Sequence, residues 1–171
     1  ESDKDKWGYI VYWHLNSNGR TTENAAWSYE KPFENGPLGV EKYIAFKWEA
    51  IDSWFEENEE IFVHPHDPYH RIDVRKSSRH IRILLNDETV ADSKSPVILF
   101  ETGLPARFYL PKTDVNMDLL KSVNHQTQCP YKGTASYYTI KTGETKLENA
   151  VWTYQNPKTE AHKIKNLLAF Y

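Results

Sequence analysis

One segment of this chain occurs twice. Glu23-Asn24-Ala25-Ala26-Trp27-Ser28-Tyr29, followed by Pro32, recurs as Glu148-Asn149-Ala150-Val151-Trp152-Thr153-Tyr154, followed by Pro157. The flanks agree too. An aromatic run and a Gly turn precede each copy (Tyr12-Trp13 with Gly19, Tyr137-Tyr138 with Gly143), and Ala-Phe follows each (Ala45-Phe46, Ala169-Phe170). Residues 72–135 lead into the second copy and 49–71 follow the first, so the order reads as back half, front half, then most of a back half. The chain therefore reads as a window onto a longer tandem protein. Residues 1–71 are expected to be the back half of a first copy, and 72–171 a second copy lacking its C-terminal tail.

A repeat of this kind constrains the fold only if each copy can bury a core. With 171 residues, 39% hydrophobic, 14% aromatic and 26% charged, the chain has the apolar content of a folded protein rather than a disordered one. The formal charge of −3 argues against a polyanion partner, so no nucleic acid is expected. The acidic stretch 41–60 and the basic stretch 71–82 read as solvated surface. No apolar run approaches the roughly 18 residues of a membrane helix. A single cysteine, Cys129, excludes an internal disulfide framework and points to a reducing compartment, the cytoplasm.

Periodicity predicts a mainly β fold. Aromatic and β-branched residues at 8–15 and 22–29 flank the Asn16-Ser17-Asn18-Gly19 turn, and the second copy repeats this hairpin around Lys141-Thr142-Gly143-Glu144. Ile81, Ile83 and Leu85 alternate with polar residues, and apolar strands are expected at Val97–Phe100 and Phe108–Leu110. Short helices are expected at 160–168, following Pro157, and at 47–57, where Trp48, Ile51 and Phe55 have helical spacing. The Arg/Lys-rich stretch 71–79 reads as the linker between copies.

The residues that can carry chemistry cluster at 99–138 and in the second aromatic motif. Cys129 is either a thiol nucleophile activated by Lys132, with His125 as base, or a buried small hydrophobe. Glu101 and Arg107 flank a Gly-Pro turn at the end of an apolar strand; they read as an internal ion pair or as the polar floor of a pocket. Trp152 and Tyr154, like Trp27 and Tyr29, share one face of a strand as core or as pocket wall. His64, His66 and His70 recur within seven residues, but the interleaved prolines favour a rigid turn, and no metal is expected there.

Several long motifs together resemble one family: Val90-Ala91-Asp92-Ser93, the run Leu99–Pro111 around Glu101-Thr102-Gly103-Leu104-Pro105, the run Cys129–Tyr138, and Ala150-Val151-Trp152-Thr153-Tyr154. The chain is similar to the domain-of-unknown-function family numbered 427, sometimes labelled nucleotidyltransferase-like. Phe62–Asp73 resembles the junction of its two-copy members. The resemblance implies two β-tent-like lobes, with one or two short helices. That architecture is also seen in methionine-sulfoxide reductases and in small ligand-binding domains with aromatic cages. The Cys-x-x-Cys pairs of the metal-bearing relatives are absent.

The functional expectation is a small-molecule pocket lined by Tyr109, Tyr131, Tyr137, Trp152 and Tyr154, with Arg107 as a ligand contact and Lys132, Cys129 and Glu101 as candidate catalytic groups. Enzyme and non-catalytic binder both stand open, with a structural or assembly role as the alternative. No cofactor is expected. Beyond a small molecule, the partner to consider is a second copy of the chain or the missing part of the first repeat.

Overall fold

The two copies of the motif build the same hairpin and share a bulge at the same place. In a computed structural model describing residues 3–171, the first hairpin joins β2 (Gly8–Ser17) to β3 (Arg20–Pro32) and pairs Val11 with Ser28, Tyr12 with Trp27 and Trp13 with Ala26. The second joins β13 (Gly133–Thr142) to β14 (Thr145–Tyr154) and pairs Ser136 with Thr153, Tyr137 with Trp152 and Tyr138 with Val151. The register slips just after Trp13 in one and just after Tyr138 in the other. Opposite those slips, Asn24 and Asn149 take left-handed φ values of 50° and 53°. Asparagine enters that region more readily than most side chains, which is why Glu-Asn is part of the repeated motif.

The chain divides into two compact units, residues 1–61 and 62–171. The first unit holds a sheet ordered β1-β2-β3-β4, with β1 at Asp3–Lys4 and β4 at Ala45–Phe46. A separate hairpin joins β5 (Trp54–Glu56) and β6 (Glu59–Ile61).

The helix expected over 47–57 does not form. One 3-10 turn covers Trp48–Ala50, and the chain then extends into β5. The Trp48 and Trp54 rings stack at 4.7 Å, and the Trp54 indole N–H donates to the Trp48 carbonyl. Phe55, the third apolar residue of the apparent helical stripe, is exposed. Trp54, which lies off that stripe, stacks on Trp48 instead, and an extended chain makes the pairing.

The second unit is built on seven strands ordered β12-β13-β14-β15-β11-β10-β7. These are β7 (Ile72–Lys76), β10 (Val97–Glu101), β11 (Arg107–Leu110), β12 (Leu120–Cys129) and β15 (Leu168–Phe170), together with the β13–β14 hairpin. A two-stranded hairpin of β8 (Ile81–Leu85) and β9 (Glu88–Ser93) lies outside this sheet. Its Asn86-Asp87 turn has both residues at positive φ, 50° and 64°, as tight hairpins require.

The expected linker at 71–79 is an ordered strand instead. β7 pairs with β10 over five residues, from Ile72 opposite Glu101 to Lys76 opposite Val97. Ile72 and Val74 pack on the core, while Arg71 and Arg75 turn outward onto Asp73 at 2.8 and 3.1 Å. The basic residues are the solvent side of a strand at the sheet's edge. At 160–168 a 3-10 helix, Thr159–Ile164, supplies the buried Ala161 and Ile164 to the core.

Both faces of the seven-stranded sheet are covered. One carries Val74, Leu99, Tyr109, Ala135, Tyr137, Trp152, Tyr154 and Ala169; the other carries Leu110, Ile140, Val151 and Leu168 under Val90, Ala91 and Val115. Each large side chain fully buried here contributes about 1.5–3 kcal/mol. The whole is mainly β, with open sheets and only short helical turns. No helix among the described residues is long and apolar enough to cross a membrane.

Candidate functional site

Cross-strand register brings the chemistry-bearing residues of the second unit to one face. Tyr137 pairs with Trp152, Trp152 with Ala169, Ala169 with Tyr109 and Tyr109 with Val97, forming a row across five strands. One pleat to one side of this row Tyr154 pairs with Ala135, and one pleat to the other side Arg107 pairs with Leu99. Side chains two apart on a strand share a face. Glu101 therefore follows Leu99 onto this face, and Cys129 follows Thr127, the partner of Ala135.

Glu101 is the electrostatic centre. Its carboxylate, 8% exposed, accepts from Lys132 Nζ through both oxygens at 2.5 Å, and His70 Nε2 reaches Oε1 at 3.1 Å. The Lys132 side chain is 10% exposed. A carboxylate buried to this degree requires a charged partner. The partner expected from sequence, Arg107, is not the one it has. Arg107 stands opposite Leu99, and its guanidinium lies over the rings of Trp152 and Tyr171 at 5.6 and 5.9 Å. Among the described residues it makes no hydrogen bond to a carboxylate.

Tyr131 sits apart from the other aromatics, clasped by residues 64–70. His70 stacks on its ring at 3.9 Å, His66 lies at 4.5 Å and His64 at 6.0 Å. The Asp67 N–H donates to the Tyr131 hydroxyl, and His66 Nε2 donates to the Pro130 carbonyl. The three histidines thus hold a loop on a tyrosine and deliver His70 to Glu101. Among the described residues no three His, Cys, Asp or Glu side chains gather to hold a metal.

The tyrosine hydroxyls differ in what they have to bond. Tyr109 accepts from the Trp152 indole at 3.2 Å, and Tyr137 shares a hydrogen bond with Thr127 at 2.8 Å. Tyr154, only 5% exposed, makes none among the described residues. Burial pushes the Tyr109 and Tyr154 phenols far above their ordinary range; Glu101 and Cys129 push both further the same way. Both are O–H donors at any physiological pH. In the first unit the matching hydroxyl is occupied: Tyr29 donates to Asp5 at 2.5 Å.

Cys129 is half-buried, and His125, the base expected for it, packs its ring on Tyr137 at 4.7 Å. Sequence reasoning placed His70 in a rigid turn without its contact to Glu101, and missed Tyr171. A histidine in a proline-rich turn and an aromatic beyond the last strand give no sign in sequence of what they touch.

A model of the family described as "Domain of unknown function (DUF427)" matches residues 3–57 and 73–171. The chain belongs to this family. Its two matched segments make it a two-copy DUF427 member, in keeping with the shared hairpin register. Compared with the curated proteins, the chain matches none. In the second copy of this DUF427 protein, β10 and β11 bring a buried carboxylate and an arginine to the face of the repeated Trp-x-Tyr pair.

Proposed function

We propose that the face of the second unit bearing Tyr109, Trp152 and Tyr154 binds a small, flat organic molecule carrying an anionic group. Arg107 and Tyr154 are its polar contacts. The observation that carries this reading is the Arg107 guanidinium, laid over two aromatic rings with no carboxylate partner among the described residues. A guanidinium held by its flat face keeps its edge of N–H donors available for a carboxylate or phosphate. Tyr154, on the same sheet face across the Tyr109–Trp152 row, adds a neutral O–H donor, and Trp152 an aromatic wall. Tyr109 orients that wall through the bond its hydroxyl accepts from the Trp152 indole.

A catalytic reading uses the same face, with Glu101, Lys132 and Cys129 acting on the bound molecule. Its support is that Glu101 and Cys129 fall on this face by strand register and Lys132 meets the Glu101 carboxylate. Binding is the preferred reading because Glu101 and Lys132 neutralise each other and are held by His70. The lone cysteine supports a reducing compartment such as the cytoplasm.

Saturation-transfer NMR of the 171-residue chain with a panel of aromatic carboxylates tests the site. Binders are expected whose affinity falls about tenfold or more in Arg107→Gln and in Tyr154→Phe, the scale of one hydrogen bond to a charged group. Affinities unchanged in both variants, with the melting transition intact, rule this site out.

A further inference from the structure

Backbone bonds fasten the β8–β9 hairpin to the rest of the second unit through β9. Ala91 bridges to Val115, and the Asn116 N–H donates to the Val90 carbonyl. At the turn, Asn86 donates to Thr145. β8 pairs with β9 alone among the described residues. Val90 and Ala91 are accordingly buried, whereas Ile81 and Ile83 of β8 are only partly so.

That leaves a slot of about 110 Å3 between β8 and the sheet. Ile81 and Ile83 form one wall, Phe108 and Phe170 the other, and the buried Leu110 the floor. All five side chains are hydrocarbon. Arg107 and Tyr171 line the slot as well. The register that sets Tyr109 opposite Ala169 places these two side by side at the sheet's margin, and the guanidinium lies over the Tyr171 ring at 5.9 Å. Arg107 is the one charged side chain among the described residues lining the slot, and it also lies over Trp152 of the aromatic face. It stands where the two meet.

On the reading that Arg107 holds the ligand's anion, we propose that the ligand is a branched aryl acid. Its carboxylate meets Arg107, its ring lies on the aromatic face, and an aliphatic chain on the carbon between them enters the slot. Charge sets this orientation. A carboxylate inside the slot would lose its water among hydrocarbon side chains, whereas at the margin it meets the edge of the guanidinium. Volume sets the chain. An apolar cavity of about 150 Å3 takes one benzene, so this smaller slot suits about three or four carbons and refuses a second ring.

The probes are α-alkyl phenylacetic acids, from phenylacetate itself to the α-hexyl acid, titrated by calorimetry into the 171-residue chain. Affinity is expected to rise about two- to fourfold with each added carbon, the scale of a buried methylene, and to stop rising beyond about four. Ala106→Phe, at an exposed position lining the slot, is expected to level the series while the melting transition holds. Arg107→Gln is expected to weaken every member alike, about tenfold. A level series that still depends on Arg107 overturns the slot and leaves the anion site standing. No binding by any member overturns both. A rise that continues to the α-hexyl acid, or survives Ala106→Phe, overturns the proposal by placing the chain on open surface. Affinity that falls as protein concentration is raised overturns it too, by making a second copy the occupant.

Discussion

Lys132 and Glu101, 31 residues apart in sequence, meet at 2.5 Å in the second unit, with His70 on the same carboxylate. The lysine that sequence offers as a nucleophile's neighbour or an anion's contact is committed to a buried carboxylate. Its removal is therefore a stability experiment before it is a functional one.

Lys132→Met is expected to destabilise the protein by about 3–5 kcal/mol, because it leaves Glu101 buried with only a histidine. Adding Glu101→Gln to the same variant should recover more than half of that loss. Urea midpoints of the two variants at neutral pH provide the comparison; equal stability of single and double variants would show that the pair is not what Lys132 contributes.

Tyr109 and Tyr154 have phenol pKa values raised by burial, and Tyr29 is pushed up to about 12 mainly by its hydrogen bond to Asp5. A group with a raised folded pKa binds its proton more tightly when folded, so its contribution is complete below the unfolded value near 10 and is lost as pH climbs past it. Stability is expected to fall steadily from pH 9 to 12, and spectrophotometric titration should show late-titrating phenols among the eleven tyrosines. Tyr154→Phe should shallow the alkaline slope. At the acid end, Asp5, lowered chiefly by its bond to Tyr29, loses its contribution as pH drops below about 4.

Gly133 has φ of +94°, and a Cβ there would stand 3.3 Å from the Asn156 carbonyl oxygen. Gly133→Ala should cost about 1–3 kcal/mol. Gly143, at φ +54° with nothing near it, stands where the first hairpin carries Asn18 at φ 50°. Gly143→Asn should change stability by less than about 0.5 kcal/mol. Thermal melts of both variants check the contrast.

Trp152 is more deeply buried than Trp27 and also donates to Tyr109. Trp152→Phe should cost about 2–3 kcal/mol, combining lost packing with a stranded phenol oxygen, and Trp27→Phe about 1 kcal/mol. Chemical denaturation followed by circular dichroism separates them; a larger loss at Trp27 would mean the two motif copies are packed differently from their shared register.

Sequence alone determined what is local. Turn residues such as Asn18-Gly19 and Thr142-Gly143 carry their backbone preference with them, so both hairpins of the repeat were legible. Alternation at Ile81, Ile83 and Leu85 announced its strand, and the repeated Glu-Asn-Ala motif announced the repeat, though the bulge it carries shows only in the strand register. Where two periods overlap, as at Trp48, Ile51 and Phe55, or where charge masks alternation, as at Ile72 and Val74, local pattern misleads. A solvated arginine looks the same in a linker and on an edge strand.

Strand order was decided only by the tertiary structure. Glu101 lies six residues from Arg107, yet the tight β10–β11 turn sets Arg107 opposite Leu99, so the nearest cation in sequence goes to two aromatic rings. Lys132 and His70 reach Glu101 because the turn after β12 and the 64–70 loop arrive at the same place. That arrangement depends on contacts across many residues, whose loop-closure cost and burial gain belong to the whole fold. No short window of residues encodes them.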